Sequence, residues 1–180
     1  MALTSLLRHE RRALAMKLVD RELRTSPIHS LTGLPEPEIR SLFKMKHDRS
    51  PPSGPMPSSS SFFTSRRNQA EVTLFGALYR HLGGQRIHRQ LSAETLMNAH
   101  DLYREIHPED SSRKGLNFTD AWVIARDLKS GATRFVPCRH CGLDYLIADE
   151  TDIPPNCPFC FFRRLRKQKD GQRAPREVQA

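Results

Sequence analysis

The sequence predicts a mainly α protein that closes with a small, β-containing zinc-binding region. Three observations predict it. Apolar residues recur at helical spacing in successive stretches up to residue 131. A Pro- and Ser-rich run at 50–65, SPPSGPMPSSSSFFTS, interrupts that rhythm. The four cysteines, and only four, form two C-x-x-C pairs, Cys138/Cys141 and Cys157/Cys160, with fifteen residues between Cys141 and Cys157. The expected organisation is an N-terminal helical region at 1–49 with a helix-turn-helix-like unit, a connector at 50–67, a helical core at 68–131, and a four-cysteine zinc region with a basic tail at 132–180.

The first stretch is a helix whose Leu3, Leu7, Leu14 and Leu18 fall within about 60° of one another at helical pitch. Such a stripe packs on its own core or on another chain. Ser26-Pro27 breaks the pattern, because proline can only open a new helix. A short helix from Pro27 to Thr32, a turn at Gly33 and a second helix from about Pro35 to Lys46 outline a helix-turn-helix. Ile28, Leu34, Ile39 and Leu42 take its inner face, and Gly33 supplies the positive φ that the turn requires. The second helix of such a unit reads the major groove. Thr32 occupies a usually apolar position, however, and Glu36 and Glu38 place acid at the end that would approach DNA. An ordinary helical hairpin, whose acids suit the helix dipole, fits the same residues.

The connector excludes a helix or central strand, and Met56, Phe62 and Phe63 point to docking on a surface as against a free linker. Helical spacing returns at 68–83, with Val72, Phe75, Tyr79 and Leu82 on one side. A helix from about Ser92, its N-cap, to Ile106 turns Leu96, Ala99, Tyr103 and Ile106 inward. The next runs from Thr119, as N-cap, to Lys129, with Ala121, Ile124, Ala125 and Leu128 inside and Gly131 as its stop. Trp122 reads as core. His81, His88, His100 and His107 lack paired ligand spacing and read as surface or hydrogen-bonded residues.

Two strands, Thr133 to Val136 and Tyr145 to Ile147, frame the first cysteine pair. Two residues between thiols let one tight turn aim both sulfurs at one point, and four thiolates complete a tetrahedral zinc shell with no position open for water. One structural Zn2+ on Cys138, Cys141, Cys157 and Cys160 is the expectation. Gly142 after the second cysteine suits a zinc knuckle. His140 lies inside the first pair as a rival ligand, but four thiols suffice. Disulfides or a redox dithiol are the competing reading. No βαβ redox pattern surrounds the pairs, and no apolar leader opens the chain, so a reducing, cytoplasmic setting is expected.

No apolar run approaches membrane-spanning length. Over 180 residues the formal net charge is +9, and the pI is near 9.9. From Phe161 to Ala180, seven Lys/Arg against two acids leave +5 of that total. This favours a polyanion as partner, although solvated termini are also often charged. Phe161, Phe162 and Leu165 argue that the start of the tail packs back. The candidate DNA contacts are Arg40 and Lys44 on the second helix of the hairpin, Arg139 in the first knuckle, and Arg163, Arg164, Arg166, Lys167 and Lys169 in the tail.

No metalloprotease, phosphate-loop, nucleophile-elbow or EF-hand motif occurs. Asp101, Glu105, Glu109 and Asp110 cluster at a helix end, and Asp120 and Asp127 read as ordinary helix residues. No enzyme is expected.

The order of these parts, with Ser50-Pro51-Pro52-Ser53-Gly54-Pro55-Met56-Pro57, Thr119-Asp120-Ala121-Trp122 and the four cysteines, resembles the FlhC family over about Ala15 to Arg176. The resemblance implies one subunit of the bacterial flagellar master transcriptional activator. It implies a hetero-oligomer with the smaller helical FlhD, binding of double-stranded promoter DNA, recruitment of RNA polymerase, and zinc on the four cysteines. Glu36 and Glu38 depart from the basic character expected of a DNA-reading helix. A zinc-ribbon RNA- or ribosome-associated protein is the alternative, and a scaffold subunit whose basic tail binds an acidic partner is a third reading.

Overall fold

The computed structural model describes residues 2–107, 115–149 and 156–172, with the side chains of residues 2–4, 167 and 169–172 outside that description. Seven α-helices and one β-hairpin are described: α1 (Ala2–Asp20), α2 (Thr25–Thr32), α3 (Glu36–His47), α4 (Arg66–Gly83), α5 (Ala93–Ile106), α6 (Phe118–Ser130), β1 (Thr133–Pro137), β2 (Asp144–Ala148) and α7 (Pro158–Gln172). Short 3-10 turns at Ser59–Phe62 and Gly84–His88 flank α4. Among the described residues, no helix is long and apolar enough to cross a membrane.

Helices α1, α2 and α3 pack on one another. Ala15, Leu18, Val19, Ile28, Leu34, Ile39, Leu42 and Phe43 fill the space between them. Gly33 sits at φ 69° and its N–H donates to His29 O at 2.8 Å, so the α2–α3 turn forms as expected. Thr32 is tolerated in this buried turn because both sides of its hydroxyl are used. Its Oγ1 donates to Ile28 O at 2.7 Å and accepts from Leu34 N at 3.2 Å. The acids of α3 are engaged within the molecule: Glu36 pairs with Arg40 at 2.6 Å, and Glu38 lies 3.5 Å from Arg8 and 4.0 Å from Arg12.

The leucine stripe of α1 is only half covered. Leu18 is buried and Leu14 partly so, whereas Leu7 is 47% exposed and Leu6 55%.

Helix α4 is the hub, touching α5, α6, α7, β2 and both 3-10 turns. Val72, Phe75 and Tyr79 are buried as expected, but Leu82 is exposed, and so is Ile106 at the end of α5. Both lie in the last turn of their helices. Ser92 caps α5 by accepting from Thr95 N. The cap of α6 is Asn117, not Thr119, because Asn117 and Asp120 form a reciprocal capping box that starts the helix at Phe118. Ala121, Trp122, Ile124, Ala125 and Leu128 are buried, and Gly131 ends α6 at φ 83°.

The connector is docked. Phe63 is buried, and Met56 and Phe62 pack against the core. The serine run expected to exclude helix makes a 3-10 turn, pinned by Asp127 Oδ2, which accepts from Ser59 N at 3.2 Å. Asp127 is therefore a buried connector anchor, also paired with Arg126 at 2.6 Å, and not an ordinary helix-face residue. Arg24 donates to Gly54 O and Pro55 O, and Arg21 reaches Asp101 at 2.6 Å. These bonds tie the first three helices to the rest.

Past the second cysteine pair the chain is helical as far as Gln172, where a basic tail was expected. Pro158 opens α7, where a missing N–H costs nothing. Only its first turn is covered, so Phe161, Phe162 and Leu165 stand exposed and do not pack back. Glu109, Asp110, residues 150–155, Arg173 and Arg176 lie outside the described residues.

Candidate metal centre and nucleic-acid interface

Strands β1 and β2 pair antiparallel, with Phe135 opposite Leu146 and Pro137 opposite Asp144. The turn beyond them is the first knuckle. Cys138 N donates to Leu143 O at 3.0 Å and Gly142 N to Cys138 O at 2.9 Å. Gly142 adopts φ 74°, a conformation that favours glycine. The N–H groups of Cys141 and His140 turn toward Cys138 Sγ. The second knuckle repeats this design, with the N–H groups of Cys160 and Phe159 aimed at Cys157 Sγ.

Helix α4 fixes the hairpin. Gln69 Nε2 donates to Leu146 O at 3.1 Å, and Leu146 N donates to Thr73 Oγ1 at 3.1 Å. Two side chains one helical turn apart thus satisfy both backbone groups of Leu146 on the edge of β2 that faces α4. Gly76 permits the approach, since a Cβ there would meet Leu146 Cδ1 at 2.6 Å. Arg80 stacks 3.9 Å over Phe135 and pairs with Asp144 at 2.9 Å.

The two knuckles bring all four sulfurs within 4.8 Å of one another. Cys138 Sγ lies 3.7 Å from Cys160 Sγ, and Cys141 Sγ 3.7 Å from Cys157 Sγ. A disulfide requires about 2.05 Å. A tetrahedron of about 2.3 Å zinc–sulfur bonds has edges of about 3.8 Å. The thiols are free, with Cys138 and Cys157 buried and Cys141 and Cys160 half-buried. Tyr145 joins the two buried cysteines in a small core of their own, packed by Val136, Ile147 and Phe159.

Crowding splits the acidities of the sulfurs. The N–H groups of Cys141 and His140 lower the Cys138 thiol to about 6. Cys160 is pushed up to about 12, first by its contact with Cys141 and then by burial. Burial raises Cys157. Four thiolates cannot share this space without a cation, and four sulfurs at these separations fit a tetrahedral ion of zinc size.

Basic residues surround the cluster. Arg66, Arg139, His140 and Arg164 line one open groove beside it, and His140, Arg163 and Arg164 line a smaller recess against Cys160. Arg163, Arg164 and Arg166 are exposed. Arg40, held by Glu36, and the exposed Lys44 stand on α3, which contributes no residue to the groove. The side chains of Lys167 and Lys169 lie outside the described residues. Sequence reasoning missed Arg66, because no local signal links the start of α4 to a knuckle so many residues away.

The family model described as "Flagellar transcriptional activator (FlhC)" matches residues 1–170. Among curated relatives, the flagellar transcriptional regulator FlhC of Cupriavidus metallidurans is 30% identical over 149 residues, covering 82% of this chain and 68% of the relative. FlhC of Cupriavidus necator is 27% identical over 148 residues, with 82% and 72% covered. FlhC of Enterobacter cloacae is 28% identical over 149 residues, with 82% and 77% covered. With the family model matched from the first helix through most of α7, the chain belongs to the FlhC family of flagellar transcriptional activators.

Proposed function

We propose that this chain is a non-enzymatic, DNA-binding subunit of a cytoplasmic hetero-oligomer with a short helical FlhD-like partner, which engages flagellar operon promoters and recruits RNA polymerase. The observation that carries the DNA-binding part is the placement of Arg139, Arg163 and Arg164 on and beside the paired knuckles, in a member of an activator family. Cys138, Cys141, Cys157 and Cys160 would hold one structural zinc ion, which supplies four bonds and no open coordination position. The knuckle N–H groups orient the sulfurs, and α4 grips the hairpin that carries the first pair. Helix α7 thereby leaves the cluster in a fixed direction, with its arginines disposed along a polyanion. Such contacts position a protein on a duplex without reading sequence. Lys167, Lys169, Arg166, Arg40 and Lys44 extend the candidate contact surface. The exposed Leu6 and Leu7 near the start of α1 supply an apolar face suited to a helical partner.

A second reading, a zinc-ribbon protein for RNA or the ribosome, draws support from Phe161 and Phe162. They stand exposed among arginines with rings 5.6 Å apart, as side chains that stack on unpaired bases do. Fluorescence anisotropy of the zinc-loaded chain with its partner separates the two. Duplex preference, with affinity falling by orders of magnitude between about 50 and 200 mM salt, is expected. Preference for single strands would transfer the assignment to the second reading.

A further inference from the structure

Basic side chains from three distant stretches of the chain meet beside the thiol cluster. Arg66 opens α4, Arg139 and His140 sit inside the first knuckle, and Arg164 lies in the second turn of α7. They line a single groove, and no carboxylate is among its described lining. Elsewhere around the hairpin arginines are matched by acids: Arg80 of α4 pairs with Asp144, and Arg134 of β1 with Asp149. Arg139 and Arg164 make no ion pair with a described residue. Arg66 plays a different part. Its Nη1 donates to Gln69 Oε1 and to Asn156 O, both at 2.9 Å, so it ties the wall of the groove to α4 and to the approach of the second knuckle.

We propose that this groove seats one backbone phosphate of duplex DNA, contacted by Arg139 and Arg164, with Arg66 as the residue that positions its wall. This inference rests on the DNA-binding reading above and assigns that reading a specific contact. A competing role for the cations exists. A zinc ion with four thiolates carries two net negative charges, so neighbouring cations are expected on that ground alone. Without counting Arg66, the exposed Arg139, Arg163, Arg164 and Arg166 exceed that demand. A phosphate oxygen between two guanidinium groups uses the surplus with charge-assisted hydrogen bonds. The groove floor is the knuckle itself, so the seat exists only while the two knuckles are locked together.

The test uses the zinc-loaded full chain with its partner, in wild-type form and as the R139Q/R164Q and R139K/R164K double variants. Each is titrated with two duplexes of unrelated sequence across a salt series, and zinc content is measured in parallel. The glutamine pair is expected to keep its zinc, to bind both duplexes on the order of tenfold more weakly at low salt, and to lower the slope of log affinity against log salt by about one. The lysine pair is expected to keep the wild-type slope. Wild-type affinity and slope in R139Q/R164Q would overturn the phosphate seat and leave the DNA-binding reading standing. Loss of zinc from R139Q/R164Q with an unchanged slope would assign the cations to the metal alone. Failure of the wild-type complex to bind either duplex would remove both the seat and the broader reading.

Discussion

His100 shows how a single side chain sets a condition on stability. It is buried, its Nε2 lies 3.0 Å from Leu116 O, and its ring meets Phe118 edge-on at 5.1 Å. Burial lowers its pKa below the ordinary histidine value, and the bond to Leu116 only partly offsets this. The unfolded chain therefore takes up the proton first as pH falls. Stability from this residue is complete above about pH 6.5 and is lost on acidification toward the folded pKa, at up to about 1.4 kcal/mol per pH unit. The thiols also titrate on acidification, so the informative quantity is a difference. Urea melts of wild type and H100Q from pH 7.5 to 5.5 are expected to converge at low pH, because the glutamine amide keeps a donor toward Leu116 and carries no charge to add. Parallel curves would show that His100 contributes no pH dependence. Asp127 gives the complementary lesson for a single residue. Nothing in its local sequence marks it as buried, because its partner, Ser59 N, is 68 residues away.

Among the elements, the helices were legible because period and punctuation agree in them. Gly33, Ser92 and Gly131 do locally what their chemistry requires. The departures fall where two local signals compete or where an element ends. Asn117 outranks Thr119 as the cap because Asp120 stands three residues beyond it to close the box. Leu82 and Ile106, in the last turns of α4 and α5, stay exposed although each continues an apolar stripe. The joint between α4 and the hairpin had no sequence signature, since it depends on Gln69, Thr73 and Gly76 facing the edge of β2. Its weight is testable. Thr73→Val keeps the shape of the side chain and leaves Leu146 N buried without an acceptor, a loss of about 1–3 kcal/mol. Chemical denaturation should show that loss, with zinc content retained. A neutral result would mean that the edge of β2 finds another partner.

Across the full chain, two cores of unequal size share the work. The larger runs from Ala15 through the helices to Leu146 and Ala148, and the smaller consists of Cys138, Tyr145 and Cys157 with their packing neighbours. Metal removal should therefore act unequally. A chelator, or Cys138→Ser, is expected to abolish protection of the knuckles and the start of α7 in hydrogen exchange while α4, α5 and α6 stay protected. Uniform loss across all helices would show a single cooperative unit. The helical class, the hairpin around the first cysteine pair and the family could be read from the residues alone, because periodicity, turn residues and a C-x-x-C pair act over a few positions. Three outcomes emerged only on folding: the basic stretch is helical as far as Gln172, its aromatic residues are exposed, and Arg66 comes to stand with Arg139 and Arg164. They depend on which surfaces remain uncovered after α4 has packed, and that is a property of distant residues meeting in space.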